Sequence, residues 1–284
     1  MEKPFLKWVG GKTQILDQVL EQFPKDMEEY HEPFLGGGSV LLGLLSLREK
    51  GEMRVGKVFA SDVNVGLISL YQNIQSRVEE VLTVAQALFA ELEACNGTTV
   101  NRKELTPDPS KETYYFSIRR RFNQVDRTTV EASAMFLFLN KTCFRGVYRE
   151  GPNGFNVPYG NYASVHLDAD HLRLVSRLIQ DVVFTAEPFQ SAFQRVRGFV
   201  YVDPPYAPLN ATSFVSYQSG GFSDHHTLFQ LCKEKQFLMS NADVPLVREA
   251  FAGYPMTTIS CRRAIHSKNP ESRTNELLIR GCAP

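Results

Sequence analysis

Cysteine is scarce and follows no pairing pattern. Cys95, Cys143, Cys232, Cys261 and Cys282 are odd in number and widely scattered, with no C-x-x-C. That argues against a disulfide framework or a cysteine zinc site and fits a reducing cytosol. No run approaches the roughly 18 consecutive apolar residues of a spanning helix. Met1-Glu2-Lys3-Pro4-Phe5 lacks the apolar stretch of a signal peptide, so neither membrane insertion nor export is expected. A charge excess is missing too, since 31 Lys and Arg balance 31 Asp and Glu. Any nucleic-acid role must then come from local basic patches rather than from overall charge. Internal repeats and low-complexity tracts are also absent. What remains is globular: 43% hydrophobic and 22% charged residues over 284 positions exclude wholesale disorder. The length suits one α/β domain plus a smaller inserted one.

The first part of the chain alternates helix and strand. Ile15, Leu16, Val19 and Leu20 give 10–22 a helical spacing, and Phe34 leads into a glycine run. Residues 39–47 read as a strongly apolar helix opening on a serine cap, and 58–62 as a short buried strand ending in an acid. From 67 to 140 the pattern is mainly helical, with breaks at Asn96-Gly97 and Pro107-Asp108-Pro109. Arg119, Arg120 and Arg121 point in different directions on one predicted helix and read as a solvated face. A loop-rich stretch follows, basic and aromatic by turns: Lys141, Phe144, Arg145, Tyr148, Arg149, Phe155, Tyr159 and Tyr162. The α/β rhythm then resumes with a helix at 169–179 and strands at 182–185, 199–203 and 237–240. Extended runs at 257–261 and 276–280 predict a terminal hairpin. The α/β domain is therefore expected from both chain ends, 1–64 and 165–284, with a helical, basic module at 65–164 inserted between.

Three features bear on chemistry. Phe34-Leu35-Gly36-Gly37-Gly38-Ser39 is a glycine turn between strand and helix, where the backbone can approach a ligand and helix-start amides stay available as donors. Asp62 ends the next strand 24 residues after Gly38, a spacing at which an acid commonly takes two ribose hydroxyls. Alone, these two would look the same as a tight turn beside a surface aspartate, and Leu41 stands where a dinucleotide fingerprint needs its third glycine. Gly10-Gly11-Lys12-Thr13 mimics the tail of a triphosphate loop, but Leu6 occupies the position of its first glycine. The sharp signal is Asp203-Pro204-Pro205-Tyr206 after the apolar strand Phe199-Val200-Tyr201-Val202. Two prolines stiffen the turn and remove two backbone donors. A carboxylate beside a carbonyl suits an exocyclic amine with two N–H bonds, and Tyr206 offers a face for a planar base.

These motifs resemble the Dam-type DNA adenine-N6 methyltransferases, the S-adenosylmethionine-dependent α group. Lys7-Trp8-Val9-Gly10-Gly11-Lys12 is similar to the family's N-terminal motif, and Glu32-Pro33-Phe34-Leu35-Gly36-Gly37-Gly38-Ser39 to its cofactor loop. Asp203-Pro204-Pro205-Tyr206 is similar to the catalytic tetrapeptide. The stretch 140–162, with Gly154-Phe155-Asn156-Val157-Pro158-Tyr159-Gly160, resembles the segment carrying the base-reading hairpin. Ser240-Asn241 and Arg262-Arg263 have counterparts as well. The resemblance implies a Rossmann-like methyltransferase fold with an inserted, mainly helical DNA-recognition domain and a β-hairpin. It departs at Ala186-Glu187-Pro188-Phe189, where relatives put an aromatic directly after the acid. Phe144 and Arg145 replace a Tyr-Asn pair, and Asn161 replaces an arginine.

The resemblance also implies roles. Asp203, Pro204 and Tyr206 would be catalytic, acting on N6 of an adenine flipped out of duplex DNA. Trp8, Lys12, Phe34, Gly36, Gly38, Ser39, Asp62, Glu187, Phe189 and Asp203 would hold S-adenosylmethionine, with no metal. Arg145, Val147, Arg149, Pro158, Asn161 and Arg262 would face DNA. Arg149 would fork onto a guanine while Val147 and Pro158 meet a thymine methyl, which suits GATC or a longer site beginning with GA. The expected setting is the cytoplasm of a bacterial or phage-infected cell, with room for a separately acting cognate restriction endonuclease. A methyltransferase for RNA or for a protein glutamine would share the proline-proline-aromatic turn. It would more often open that turn with Asn, and it would lack the basic insert. A non-catalytic DNA-binding relative is the remaining alternative.

Overall fold

A computed structural model of the chain describes residues 1–95, 110–208, 222–262 and 273–282, excepting the side chains of 261, 262, 273 and 274. In chain order the first elements are α1 (Leu16–Leu20), β1 (Asp26–Glu32), α2 (Ser39–Glu49), β2 (Arg54–Asp62) and α3 (Val65–Ala94). Then come α4 (Lys111–Phe122), α5 (Val130–Thr142), a 3₁₀ turn (Phe144–Gly146), β3 (Glu150–Gly151), β4 (Gly154–Phe155) and α6 (Ala169–Leu178). The last part holds β5 (Val182–Ala186), α7 (Phe189–Arg195), β6 (Phe199–Val202), α8 (His225–Lys233), β7 (Gln236–Ala242), α9 (Pro245–Ala250), β8 (Met256–Arg262) and β9 (Arg273–Gly281). The breaks expected at 96–97 and 107–109, and the loop between β8 and β9, lie outside the described residues.

The chain divides into two compact units, one of residues 1, 12–63 and 181–284, the other of 2–11 and 64–180. The first is a mixed α/β unit around a seven-stranded sheet ordered β5-β2-β1-β6-β7-β9-β8. Pairings from β5 through β7 are parallel, and β9 joins β7 antiparallel with β8 folded back on it. All four residues of β6 are buried, as a central parallel strand covered on both faces requires. Phe193, Phe229, Phe237 and Phe251 pack with Val200, Val202, Met239, Leu277 and Ile279 into its core. From β1 the chain steps outward to β2 and β5, then returns to β6 on the other side of β1. The topological switch point thus lies between the ends of β1 and β6, the place where open parallel sheets bind ligands. The hairpin expected at the C-terminus is β8–β9.

The second unit is helical. Among the described residues its four α-helices each start on a side-chain cap: Asn64 Oδ1 accepts from Leu67 N, Ser110 Oγ from Thr113 N, Thr129 Oγ1 from Ala132 N, and Asp168 Oδ1 from His171 N. The sequence boundaries at 64/65 and 164/165 put residues 2–11 and α6 elsewhere, and the structure moves both into this unit. Long-range polar contacts are the reason. Lys7 N donates to Asn140 Oδ1 at 2.9 Å while Asn140 Nδ2 returns a bond to Lys7 O at 2.8 Å. Likewise Arg173 of α6 forks onto Glu79 of α3, and Gln75 of α3 donates to Ile179 O.

Candidate active site

The site is built at the strand ends that flank the switch point. After β1, Leu35 N donates to Ser61 O at 3.0 Å and Gly36 N to Asp62 Oδ2 at 3.1 Å, so the glycine turn is tied to the end of β2. Gly36 and Gly38 have φ of 49° and 67°, the left-handed region that a side chain disfavours. Gly38, not Ser39, is therefore the residue before the first turn of α2, which has no side-chain cap. That corrects the expected serine cap. Ser39 lies inside the helix, and its Oγ accepts a bond from Lys12 N at 3.0 Å instead.

At the end of β6, Asp203 Oδ2 meets Lys12 Nζ at 2.7 Å, with the two side chains only 19% and 4% exposed. Burial pushes Asp203 up to about 6, against the Lys12 charge and its hydrogen bond, which pull it down, while the Glu276 charge adds to the rise. Below them Glu32, wholly buried, accepts from Tyr30 Oη at 2.6 Å. Burial drives Glu32 up to about 8, with the Tyr30 bond opposing and the nearby Asp203 charge assisting. At neutral pH the pocket thus holds a protonated Glu32 and an ionised Asp203 paired with the buried Lys12. Lys12 Nζ also sits 5.0 Å from the centroid of the Tyr206 ring, a cation–π distance.

The turn after Asp203 is held from the sheet. Ala207 N donates to Asn241 Oδ1 at 3.1 Å, and the Tyr206 hydroxyl donates to Glu276 Oε2 at 2.7 Å. Pro204 is buried and Tyr206 half-buried. Beyond the glycine turn, Phe34 stacks on Phe189 at 5.5 Å, with Phe222 edge-on to Phe34. Phe189 is a core residue here, and the Glu187 carboxylate is turned onto Arg195. Glu187 N still donates to Asp62 O, linking the end of β5 to the acid that closes β2.

Trp8 belongs to the second unit, where it stacks with Phe136 and Tyr148 at 6.4 and 5.6 Å. In that unit β3 and β4 form the small hairpin expected near Arg149. Arg149 is exposed, and its Nε donates to Asn156 Oδ1 at 2.6 Å. Val147 is half-buried and Pro158 exposed, with Pro158 O accepting from Phe144 N at 2.8 Å. Arg145 and Asn161 are exposed at positive φ, and Arg145 N donates to the Tyr162 hydroxyl at 2.7 Å. Arg262 ends β8, and its side chain lies outside the described residues. Arg119 departs from the solvated face expected of the arginine run. It is half-buried, lies over Phe116 and donates to Val157 O at 3.0 Å, a carbonyl that also accepts from the Tyr115 hydroxyl at 2.8 Å. Asn123 clasps the hairpin from the same side, giving Nδ2 to Phe155 O and accepting from Phe155 N, both at 2.9 Å. Asn123, Asn156, Glu32 and Glu276 received no role from the sequence. Only Glu32 carried a signal, its place directly before the Pro33-Phe34 approach to the glycine turn.

A mostly parallel α/β sheet, with a glycine turn tied to an acid on one side of its switch point and an Asp-Pro-Pro-Tyr turn on the other, defines an amino-directed methyltransferase. The chain belongs to the D12 class N6 adenine-specific DNA methyltransferases, whose family model matches residues 8–265. It is 36% identical to type II methyltransferase M.MjaIII of Methanocaldococcus jannaschii, with 98% of each chain covered. It is 32% identical to the DNA adenine methylase of Haemophilus influenzae, covering 95% of this chain and 90% of that one. It is also 30% identical to the DNA adenine methylase of Escherichia coli K12, over 97% and 94% of the two chains. The protein is an adenine-specific DNA methyltransferase of the Dam-like kind.

Proposed function

We propose that the protein transfers a methyl group from S-adenosylmethionine to N6 of an adenine turned out of duplex DNA, within GATC or a longer site beginning with GA. One observation carries the reading: the Asp62-tied glycine turn and Asp203-Pro204-Pro205-Tyr206 flank a single switch point in one unit. The donor set fits the cofactor. Asp62 suits ribose hydroxyls, the uncapped start of α2 after Gly36 and Gly38 supplies backbone donors, and Phe34 backed by Phe189 suits an adenine face. Lys12, Ser39 and Glu187 are proposed to complete that set. When bound, S-adenosylmethionine supplies a methyl group on a sulfonium, an electrophile that needs no acid catalyst.

The chain's own residues do the rest by positioning. Asp203 and the Pro204 carbonyl accept the two N6 hydrogens, which aims the nitrogen lone pair out of the base plane. Tyr206 stacks against the extruded base, repaying about 1–3 kcal/mol of the roughly few kcal/mol that flipping costs. The second unit carries target recognition, with Arg149 on guanine, Val147 and Pro158 on the thymine methyl, and Arg145 and Asn161 along the DNA; Arg262, at the end of β8 in the first unit, is proposed as a further DNA contact. The enzyme is proposed to work in the cytoplasm, with any cognate endonuclease a separate protein.

The test is transfer of labelled methyl to duplexes that contain GATC, a GA site with other flanks, or no GA. Label should appear in the GA-containing duplexes and vanish with Asp203→Ala, while calorimetry finds cofactor affinity within a few-fold of wild type. Near wild-type transfer by Asp203→Ala would remove Asp203 from the mechanism.

A further inference from the structure

Glu276 stands apart from every motif and yet ends on the catalytic turn. It lies on β9, opposite Ala242 of β7 in the antiparallel register, and Asn241 is the residue before Ala242. Two neighbouring strands therefore present two acceptors to consecutive residues of the turn: Asn241 Oδ1 to Ala207 N, and Glu276 Oε2 to the Tyr206 hydroxyl at 2.7 Å. The ring has a second restraint, the Lys12 ammonium 5.0 Å from its centroid. A tyrosine so held at its far end cannot swing about its Cα–Cβ bond without breaking a charge-assisted hydrogen bond, the stronger kind. Packing alone does not require a carboxylate here, since a leucine or methionine would fill the place without desolvating a charge.

We propose that Glu276 is a positioning residue for methyl transfer: by anchoring the Tyr206 hydroxyl it fixes the plane against which the target adenine stacks. This rests on the stacking role given to Tyr206 above. It also gives the C-terminal hairpin a function, because β9 is the element that brings the acceptor into place.

A double-mutant cycle tests it, with kcat, KM for duplex DNA, cofactor affinity by calorimetry and Tm measured for each variant. Glu276→Ala should lower kcat about tenfold, the usual scale for a lost buried hydrogen bond to a charge, with cofactor affinity unchanged within twofold. Glu276→Gln keeps an acceptor of the same shape and should stay within about threefold of wild type. Tyr206→Phe should lose as much as Glu276→Ala, and adding Glu276→Ala to Tyr206→Phe should lose nothing more, since the hydroxyl is already gone. Losses that multiply in the double variant would overturn the proposal, as would a Tyr206→Phe enzyme as fast as wild type. If Glu276→Ala does not fold, the same cycle run with Glu276→Leu and Glu276→Gln decides by the same criterion. Tyr206→Ala separates the two ideas. A slow Tyr206→Ala enzyme with multiplying losses sinks only the anchor, whereas a fast one sinks the stacking role.

Discussion

Lys12 and Asp203 are 191 positions apart in the chain, yet their ion pair bears on the protonation of the carboxyl proposed to accept from the target amine. Burial alone would favour the neutral acid, and Lys12 opposes it. An ionised carboxylate accepts an amine N–H more strongly than a protonated one, so transfer should decline as pH falls through about 6, to which burial pushes Asp203. Removing the counter-ion must raise that value further. The kcat/KM profile of Lys12→Met, measured from pH 5 to 9, should therefore show its acid limb displaced upward from the wild-type position, whatever the height of its plateau. Coincident limbs would show that Lys12 does not tune Asp203. Glu32 makes the opposite kind of contribution. Its folded value of about 8 is above the ordinary 4.5, so the native state holds the proton more tightly than the unfolded chain. The stability this adds is complete below about 4.5 and is lost as pH rises through about 8. Glu32→Gln keeps an oxygen for Tyr30 and has no proton to lose. The Tm of the variant minus that of wild type should grow steadily across this window, and a difference independent of pH would contradict the assignment.

At the scale of elements, the turn before α2 makes a backbone demand that only glycine meets easily. Gly38 has φ of 67°, and a Cβ there costs about 1–2 kcal/mol. Gly51 is the natural control, with φ of 74° and open space around it. Both Gly38→Ala and Gly51→Ala should lower Tm by a few degrees. Only Gly38→Ala should also weaken S-adenosylmethionine binding in calorimetry, and equal cofactor affinities would detach the turn from the site. This turn was legible in the sequence, as were Asp62, the strand before Asp203 and the terminal hairpin, because each announces itself within a few residues. Local composition also suggested that Ser39 would cap α2, and there it misled. The left-handed Gly38 displaced the cap by one position. What stayed hidden are the contacts that strand register creates. Tyr206 meets Glu276 only because β9 runs antiparallel beside β7, and Arg119 meets Val157 only because the loop after β4 folds over α4. A helical arginine run looks solvated until the loop that uses one of its members is in place.

For the whole molecule the decisive number is a net charge of zero. A chain without excess positive charge cannot hold DNA by bulk attraction, so its affinity rests on a limited set of phosphate contacts and its choice of site on a few base contacts. Arg149 is proposed for the second kind. It is exposed at the start of the β3–β4 hairpin, and Asn156 holds its Nε at 2.6 Å, which fixes the plane of the guanidinium. A guanidinium fork matches guanine N7 and O6 and is worth about 1–3 kcal/mol of discrimination. Arg149→Ala should therefore lower the preference for a 5′ guanine by roughly tenfold or more, while the slope of log affinity against log salt on random DNA stays close to wild type. Replacing a phosphate-bound lysine should do the reverse, weakening all sequences alike and flattening that slope by about one. Asn156→Ala should fall between, since it frees the fork without removing it. Single-molecule sequencing of DNA from cells expressing each variant reads the outcome directly. Wild-type DNA with methylated adenines that lack a 5′ guanine would refute the assignment of Arg149, and an Arg149→Ala pattern identical to wild type would move guanine recognition to another residue.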